Sequence, residues 1–226
     1  MGAKDWFICY ADGDVSKLLA RQPEIDRAAT EELVRRLFPN HSVVPEEDGT
    51  LAEDANPQDD MVYAAVWPGV TIVCTAAVAL DRPSQLDTRF LAEARGRTLY
   101  LHAMHSVVDW FALGVWSPDG QLRRALSISG GDEEIIENAG EPLPFEQPFW
   151  AGEFPAVEDE DEDEDYPFPF HPLELAEAGL DNLFGFVFEG YTGMSDDDDS
   201  VDPFDVPLAG FRLAPPKPGR RLFGRR

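Results

Sequence analysis

Two histidines and an aspartate lie in the segment YLHAMHSVVDWF at a spacing that could hold a metal ion. They are His102, His105 and Asp109, in the pattern H-x-x-H-x-x-x-D. On a helix these positions share one face, and imidazole and carboxylate groups are ligands of transition metals. No glutamate lies between the histidines, so the HExxH pattern of metalloproteases is absent. The spacing therefore indicates a metal site only if the segment is helical.

The segment around these histidines fits two secondary structures. Apolar residues between 101 and 115 recur at intervals of three and four, which is typical of a helix. Residues 98–101 and 110–116 are rich in aromatic and β-branched side chains, which favour strands. We predict a strand, a connection through 105–108 and a second strand. On that path the three candidate ligands need not converge, so we expect no cofactor and no metal.

Four further polar residues are candidates for a site. Asp12 and Asp14 follow an apolar run, where open sheets often carry functional carboxylates, and such pairs bind divalent cations. The alternative is that Asp14 caps a helix while Asp12 forms a turn. Arg82 could clamp an anion or pair with a surface acid, and Glu137 fits a pocket or a solvated loop. The candidate pocket therefore comprises Asp12, Asp14, Arg82, His102, His105, Asp109 and Glu137.

The hairpin that follows the histidines is the clearest structural signal. Ser117–Gly120 reads SPDG, which is typical of a type I turn. Trp110–Trp116 precedes this turn, and Gln121–Ser129 follows it with alternating apolar and polar residues. This pattern predicts a hairpin whose second strand is half-solvated. Arg124 interrupts the apolar set.

The remaining elements alternate strands with helices. Apolar runs predict strands, at 5–11, 41–47, 61–67 and 69–76. Capping aspartates predict helices, at 15–20, 27–38 and 88–94. Residues 132–149 mix acids with glycine and proline and are predicted to form a loop. Adjacent hairpins without crossover helices indicate an α+β fold with a mixed, largely antiparallel sheet flanked by helices.

Composition divides the chain of 226 residues into four parts. Residues 1–155 are predicted to form the α+β domain. Residues 156–167 contain eight consecutive carboxylates and are predicted to be a disordered acidic linker. Residues 168–193 contain a helix from Pro172 whose apolar face docks back on the domain. Residues 194–226, acidic and then proline-rich and basic, are predicted to be a disordered tail.

The formal net charge of −26 excludes some partners and favours others. Residues 1–155 carry 12 basic and 26 acidic side chains, which argues against binding of nucleic acid or an anionic membrane by the folded domain. The charge suits a basic protein partner approached by electrostatic steering. The basic end of the tail is expected to associate with the acidic linker. The oligomeric state is not indicated.

The cysteines and the apolar runs indicate the compartment. Cys9 and Cys74 lie within apolar runs and are expected to be buried thiols in a reducing environment. No run is long enough to span a bilayer, and the first residues lack the apolar core of a signal peptide. We therefore expect a cytoplasmic protein.

Several segments, in this order, resemble an uncharacterised bacterial protein family, found mostly in actinobacteria and known only as a domain of unknown function. They are MGAK, YADGD, ALDRPSQLD, YLHAMHSVVDWF, IIENAGEPLPFEQPFWAGE and FHPLELAE. The resemblance covers roughly Met1 to Gly190. It implies a bacterial cytosolic domain that includes the helix after the acidic linker, and it implies no activity, cofactor or catalytic residue.

Two hypotheses of function follow. The first is a non-enzymatic binding or regulatory module for a basic protein partner, because no catalytic motif is complete and the charge is strongly asymmetric. The alternative is a metal-dependent hydrolase or phosphotransferase. Its candidate residues are Asp12, Asp14, His102, His105 and Asp109. Convergence of these side chains would favour the enzyme, and their separation would favour the binding module.

Overall fold

A computed structural model describes residues 3–21, 24–131, 133–156, 166–194 and 200–215. Its centre is a large antiparallel sheet, which confirms the predicted α+β class. The strands are β1 (Lys4–Ala11), β2 (Ser42–Pro45), β3 (Gly49–Thr50), β4 (Met61–Trp67), β5 (Val70–Cys74), β6 (Thr98–His105), β7 (Trp110–Trp116), β8 (Leu122–Ser129), β9 (Glu134–Gly140) and β10 (Pro207–Ala214). Their order is β2-β10-β4-β5-β1-β6-β7-β8-β9, with β3 also paired to β10.

Six α-helices flank the sheet in the described residues. They are α1 (Val15–Leu19), α2 (Arg27–Leu37), α3 (Leu51–Asp54), α4 (Thr88–Ala94), α5 (Gln147–Trp150) and α6 (Pro172–Phe184). The predicted caps are confirmed: the carboxylates of Asp14, Asp26 and Asp87 each accept a backbone N–H from the first turn of α1, α2 and α4. No described helix has both the length and the apolar character needed to cross a membrane.

The sheet has an apolar core on each face. Helices α1, α3, α5 and α6 cover one face, and α2 and α4 cover the other. Successive side chains of a strand point to opposite faces, so the enclosed strands carry apolar side chains on both faces. Cys9 and Cys74 are free, buried thiols, and burial raises the pKa of both.

The predicted hairpin and the preference for strand over helix at the histidines are confirmed. Strand β6 runs to His105, and β7 pairs with β8 through the SPDG turn. The expectation that β8 is half-solvated is wrong, because residues 124–129 are buried. The turn Pro83–Gln85 contacts β8 from one face, while Leu126 and Ile128 join the α6 core on the other.

Replacement of Leu126 by alanine is expected to lower the free energy of unfolding by about 2–5 kcal/mol. Leu126 is fully buried and lies opposite Leu113 in the hairpin, so the lost methyl groups leave a cavity. Urea denaturation measures the change. Leu122 in the same strand is exposed, and its replacement by alanine provides a matched control with little expected loss.

Two further sequence-based predictions are wrong. Residues 134–140, expected within a loop, form β9. The Asn, Ala and Gly residues of this segment do not favour a strand locally, and the strand forms because it pairs with β8. Residues 207–214, expected within the disordered tail, form β10, because β4 and β2 pair with it from both sides. Helix α6 packs against β6 and β7, as the docking prediction required.

Three predicted disordered or charged segments lie outside the described residues. These are the acidic run within 157–165, the aspartates within 195–199 and the basic end at 216–226. The predicted association between the acidic and basic segments therefore stays a prediction.

Candidate functional site

His102 is a structural residue of the core. It is fully buried in β6, and its Nδ1 lies 2.7 Å from Oδ1 of Asp5. Its Nε2 lies 3.1 Å from the backbone oxygen of Ala176 in α6. Its ring stacks on Phe7, with 5.6 Å between centroids. Both ring nitrogens are thus used within the fold, and neither is available to a metal or substrate.

The other two members of the H-x-x-H-x-x-x-D pattern lie elsewhere. His105 is three residues from His102 along the same strand, so it points to the opposite face of the sheet, where its ring stacks on Trp6. Asp109 lies in the connection from β6 to β7 with a φ of 46°, and its carboxylate is 3.8 Å from Nε2 of His171. The strand path therefore separates the three side chains.

Asp12 and Asp14 lie at the far end of β1 from His105. His105 is opposite Lys4, and Asp12 follows Ala11, so eight strand residues, about 26 Å, separate the two positions. Asp14 caps α1 and is bonded to Lys17, whose side-chain hydrogen bond lowers the pKa of Asp14. In the described ranges, no three His, Cys, Asp or Glu side chains are grouped so that they could hold a metal.

Arg82 and His105 are the two candidate residues that the fold brings together. They line a groove of about 1000 Å³ on the face of the sheet opposite α6. Trp6 and Trp110 also line it, from β1 and β7, and Nε1 of Trp110 is buried without a hydrogen-bond partner among the described residues. The groove thus combines two indole surfaces with the charged side chains of Asp81, Arg82 and Glu134, a composition that binding sites have.

Strand β9 forms one wall of this groove. The register between β8 and β9 shifts at Ser127/Ile128, so Ile136 is the extra residue of a β-bulge. Glu134, Ile136 and Glu137 consequently lie on the groove side of the strand: Glu134 and Ile136 line the groove, and Glu137 accepts hydrogen bonds from the backbone and hydroxyl of Ser84 in the opposite wall. Bulges commonly reorient side chains near functional sites in this way.

The outer edge of β9 is unpaired within the described residues. In the described sheet, β2 and β9 are the two terminal strands. The two-residue strand β3 pairs only with β10, and every other described strand has a neighbour on both sides. Strand β2 is four residues long and ends in Pro45, which blunts its edge. Strand β9 has seven residues, contains neither proline nor lysine, and exposes 40% of Ile135. Such an edge is a template for an additional strand.

A buried ion pair fixes β9 in place. Arg124 of β8 and Glu146 are both fully buried, and Nη2 of the arginine lies 2.6 Å from Oε2 of the glutamate. Nη1 of Arg124 also donates to Oδ1 of Asn138 and to the backbone oxygen of Ala139 in β9. Glu146 accepts further bonds from the backbone of Leu143 and the indole of Trp150. This network ties the edge strand to β8 and to the segment of residues 143–150.

Sequence reasoning missed most of the groove. Trp6 and Trp110 lie in strands that were predicted, but their juxtaposition depends on both strands pairing with β6. Glu134 and Ile136 lie in a strand that was predicted as a loop. Arg124, which interrupts an apolar strand, did signal a buried carboxylate partner, but that pair lies on the other face of the sheet from the groove.

Comparison with known proteins places the chain in one family. Neither a curated protein nor a solved structure is significantly similar to it. The model of one protein family matches residues 5–211, which include β2 to β9, all of β1 except Lys4, most of β10 and both walls of the groove. The chain therefore belongs to the family of unknown function DUF6928.

Proposed function

We propose that this protein is a non-enzymatic binding module that takes an extended, basic segment of a protein partner along β9. The observation that carries this proposal is the seven-residue edge of β9 beside the groove, which no strand of the described part of the chain covers. In strand addition, backbone hydrogen bonds supply affinity and alternate side chains enter neighbouring pockets, which supply specificity. The proposal needs no metal and no catalytic group.

The charge around β9 favours a basic segment. Residues 130–155 contain seven acidic side chains and no lysine or arginine. Four of the acids, Glu133, Glu134, Glu137 and Glu141, lie in β9 or directly beside it. A cationic strand would neutralise this edge, whereas an acidic one would be repelled.

The groove suits cationic side chains of the same partner. The indoles of Trp6 and Trp110 are the aromatic surfaces that attract ammonium and guanidinium groups most strongly. Asp81 and Glu134 outnumber Arg82 among the charged side chains that line the groove. A lysine or arginine of the added strand would meet the carboxylate of Glu134 at the β9 wall. Trp110 and Trp6 lie three and five strand spacings from the added strand, so their rings would contact cationic side chains only where the partner extends across the groove.

Binding of a fluorescein-labelled peptide of ten alternating valine and lysine residues tests the proposal by fluorescence anisotropy. We expect saturable binding that weakens as salt screens the charges. The variant Glu134→Lys should bind the peptide about tenfold more weakly, a loss of about 1.4 kcal/mol. The matched control Asp59→Lys changes the charge equally at an exposed position of the turn before β4 and should bind like the wild type.

Two results would contradict the proposal. Equal weakening by Glu134→Lys and Asp59→Lys would mean that net charge rather than the β9 edge attracts the peptide. Undiminished binding of the same peptide after N-methylation of every backbone amide would exclude strand addition, because that peptide keeps its charge and loses its hydrogen-bond donors.

A further inference from the structure

A second groove lies at the end of the sheet where β1 begins, on the side of α3. It has a volume of about 820 Å³. Phe204 and Val107 border it and are the two most exposed large apolar side chains among the described residues, at 62% and 73%. Phe188 lines it as well, and Glu53 and Glu189 add negative charge against a single cation, Lys4. The groove is thus an exposed apolar surface with an acidic margin, the usual mark of an interaction site.

The described chain ends beside this groove. Arg212 of β10 pairs with Met61 of β4. The registers from β4 to β5 and from β5 to β1 place Asp5 of β1 at the same height in the sheet as Arg212. Ala214 is two residues further along, level with the start of β1, where Ala3 and Lys4 line the groove. Three strand spacings, about 14 Å, separate β10 from β1. The eight residues 215–222 can span up to about 27 Å, so residues beyond Pro215 can reach the groove.

The sequence beyond Pro215 has the composition that the groove would bind. It reads KPGRRLFGRR over 217–226, with the apolar pair Leu222 and Phe223 flanked on both sides by arginines. An apolar pair matches Phe204 and Val107, and flanking arginines match Glu53 and Glu189. Because this segment is tethered to the domain, its effective concentration at the groove is of the order of millimolar, so a weak interaction suffices for occupancy.

We propose that residues 217–226 dock in this groove of their own chain, with Leu222 and Phe223 against Phe204 and the arginines beside Glu53 and Glu189. The C-terminal segment is then an intramolecular ligand that covers an apolar interaction surface. A partner with an apolar, basic segment would have to displace it, so the groove is regulated by competition.

The test uses the full chain and a fluorescein-labelled peptide with the sequence of residues 216–226. Wild-type protein should bind this peptide weakly, because its own segment occupies the groove. The variant Phe223→Asp, whose segment no longer fits, should bind the peptide at least tenfold more tightly. Adding Phe204→Ser to that variant should abolish the gain, whereas adding Val44→Ser, which changes another exposed apolar residue on β2, should preserve it.

Three results would overturn the proposal. The first is equal binding of the peptide to wild type and to Phe223→Asp. The second is a gain that survives Phe204→Ser, which would assign the peptide to another acidic segment such as 158–165. The third is a wild-type dimer in sedimentation equilibrium that Phe223→Asp dissociates, which would mean that the segment docks on a second copy of the chain.

Discussion

Replacing Arg124 by methionine is expected to lower the free energy of unfolding by about 3–5 kcal/mol, because it leaves Glu146 as an unpaired charge in a buried site. The side chains of Arg124 and Glu146 are both fully buried, and the arginine also bonds Asn138 and Ala139 of β9. The loss should therefore include partial release of the edge strand. Urea denaturation measures the total change.

The double variant Arg124→Met, Glu146→Leu separates the ion pair from its surroundings. Removing both charges avoids the orphaned carboxylate, so the double variant should be more stable than Arg124→Met alone. If the two single losses simply add in the double variant, the pair contributes no coupling and our account of how β9 is held is wrong.

Replacing His102 by phenylalanine is expected to cost a similar amount, about 3–5 kcal/mol of unfolding free energy, because Asp5 then loses its partner in the core. Oδ2 of Asp5 already lacks a hydrogen bond among the described residues, so Oδ1 and its contact with His102 satisfy this buried carboxylate. Phenylalanine keeps the aromatic packing against Phe7 and Phe184. The loss of unfolding free energy in His102→Phe therefore measures the missing polar contacts and not the cost of a cavity.

Asp5→Asn is the matched control for His102→Phe. The amide keeps the shape of Asp5 and a hydrogen bond to Nδ1 of His102 without a buried charge, so its loss should be nearer 1 kcal/mol, about the net value of one hydrogen bond. Equal losses in the two variants, measured by urea denaturation, would show that the pair is not the source of the stability.

Local signals in the sequence predicted the elements that local interactions stabilise. The aspartate caps at 14, 26 and 87 act within one helical turn, and the SPDG turn acts within four residues, so both were readable. Strand β10 was missed because its partners are distant: Ala209 pairs with Ala64, and Leu213 with Val43. Its short apolar run, among prolines and aspartates, gives no local indication of that pairing.

The candidate site was likewise predictable only where it depends on neighbouring residues, and not where it depends on contacts between distant strands. The histidine pattern suggested convergence by helical spacing, but strand geometry sends His102 to one core and His105 to the opposite face. The groove is assembled from β1, β6, β7, β8, β9 and residues 79–85 before α4, and no short motif encodes that assembly. The sequence alone did predict the negative charge of the site, because the excess of acidic residues near β9 can be counted without knowing the fold.

Amide hydrogen exchange of the full chain with and without the valine–lysine peptide tests the central claim most directly. Strand addition satisfies outward-facing N–H groups of β9 with carbonyl groups of the peptide, so exchange slows wherever those bonds form. We predict that the peptide slows exchange within residues 134–140 and leaves the opposite edge, residues 42–45, unchanged. Bound peptide with no added protection in β9 would contradict the account.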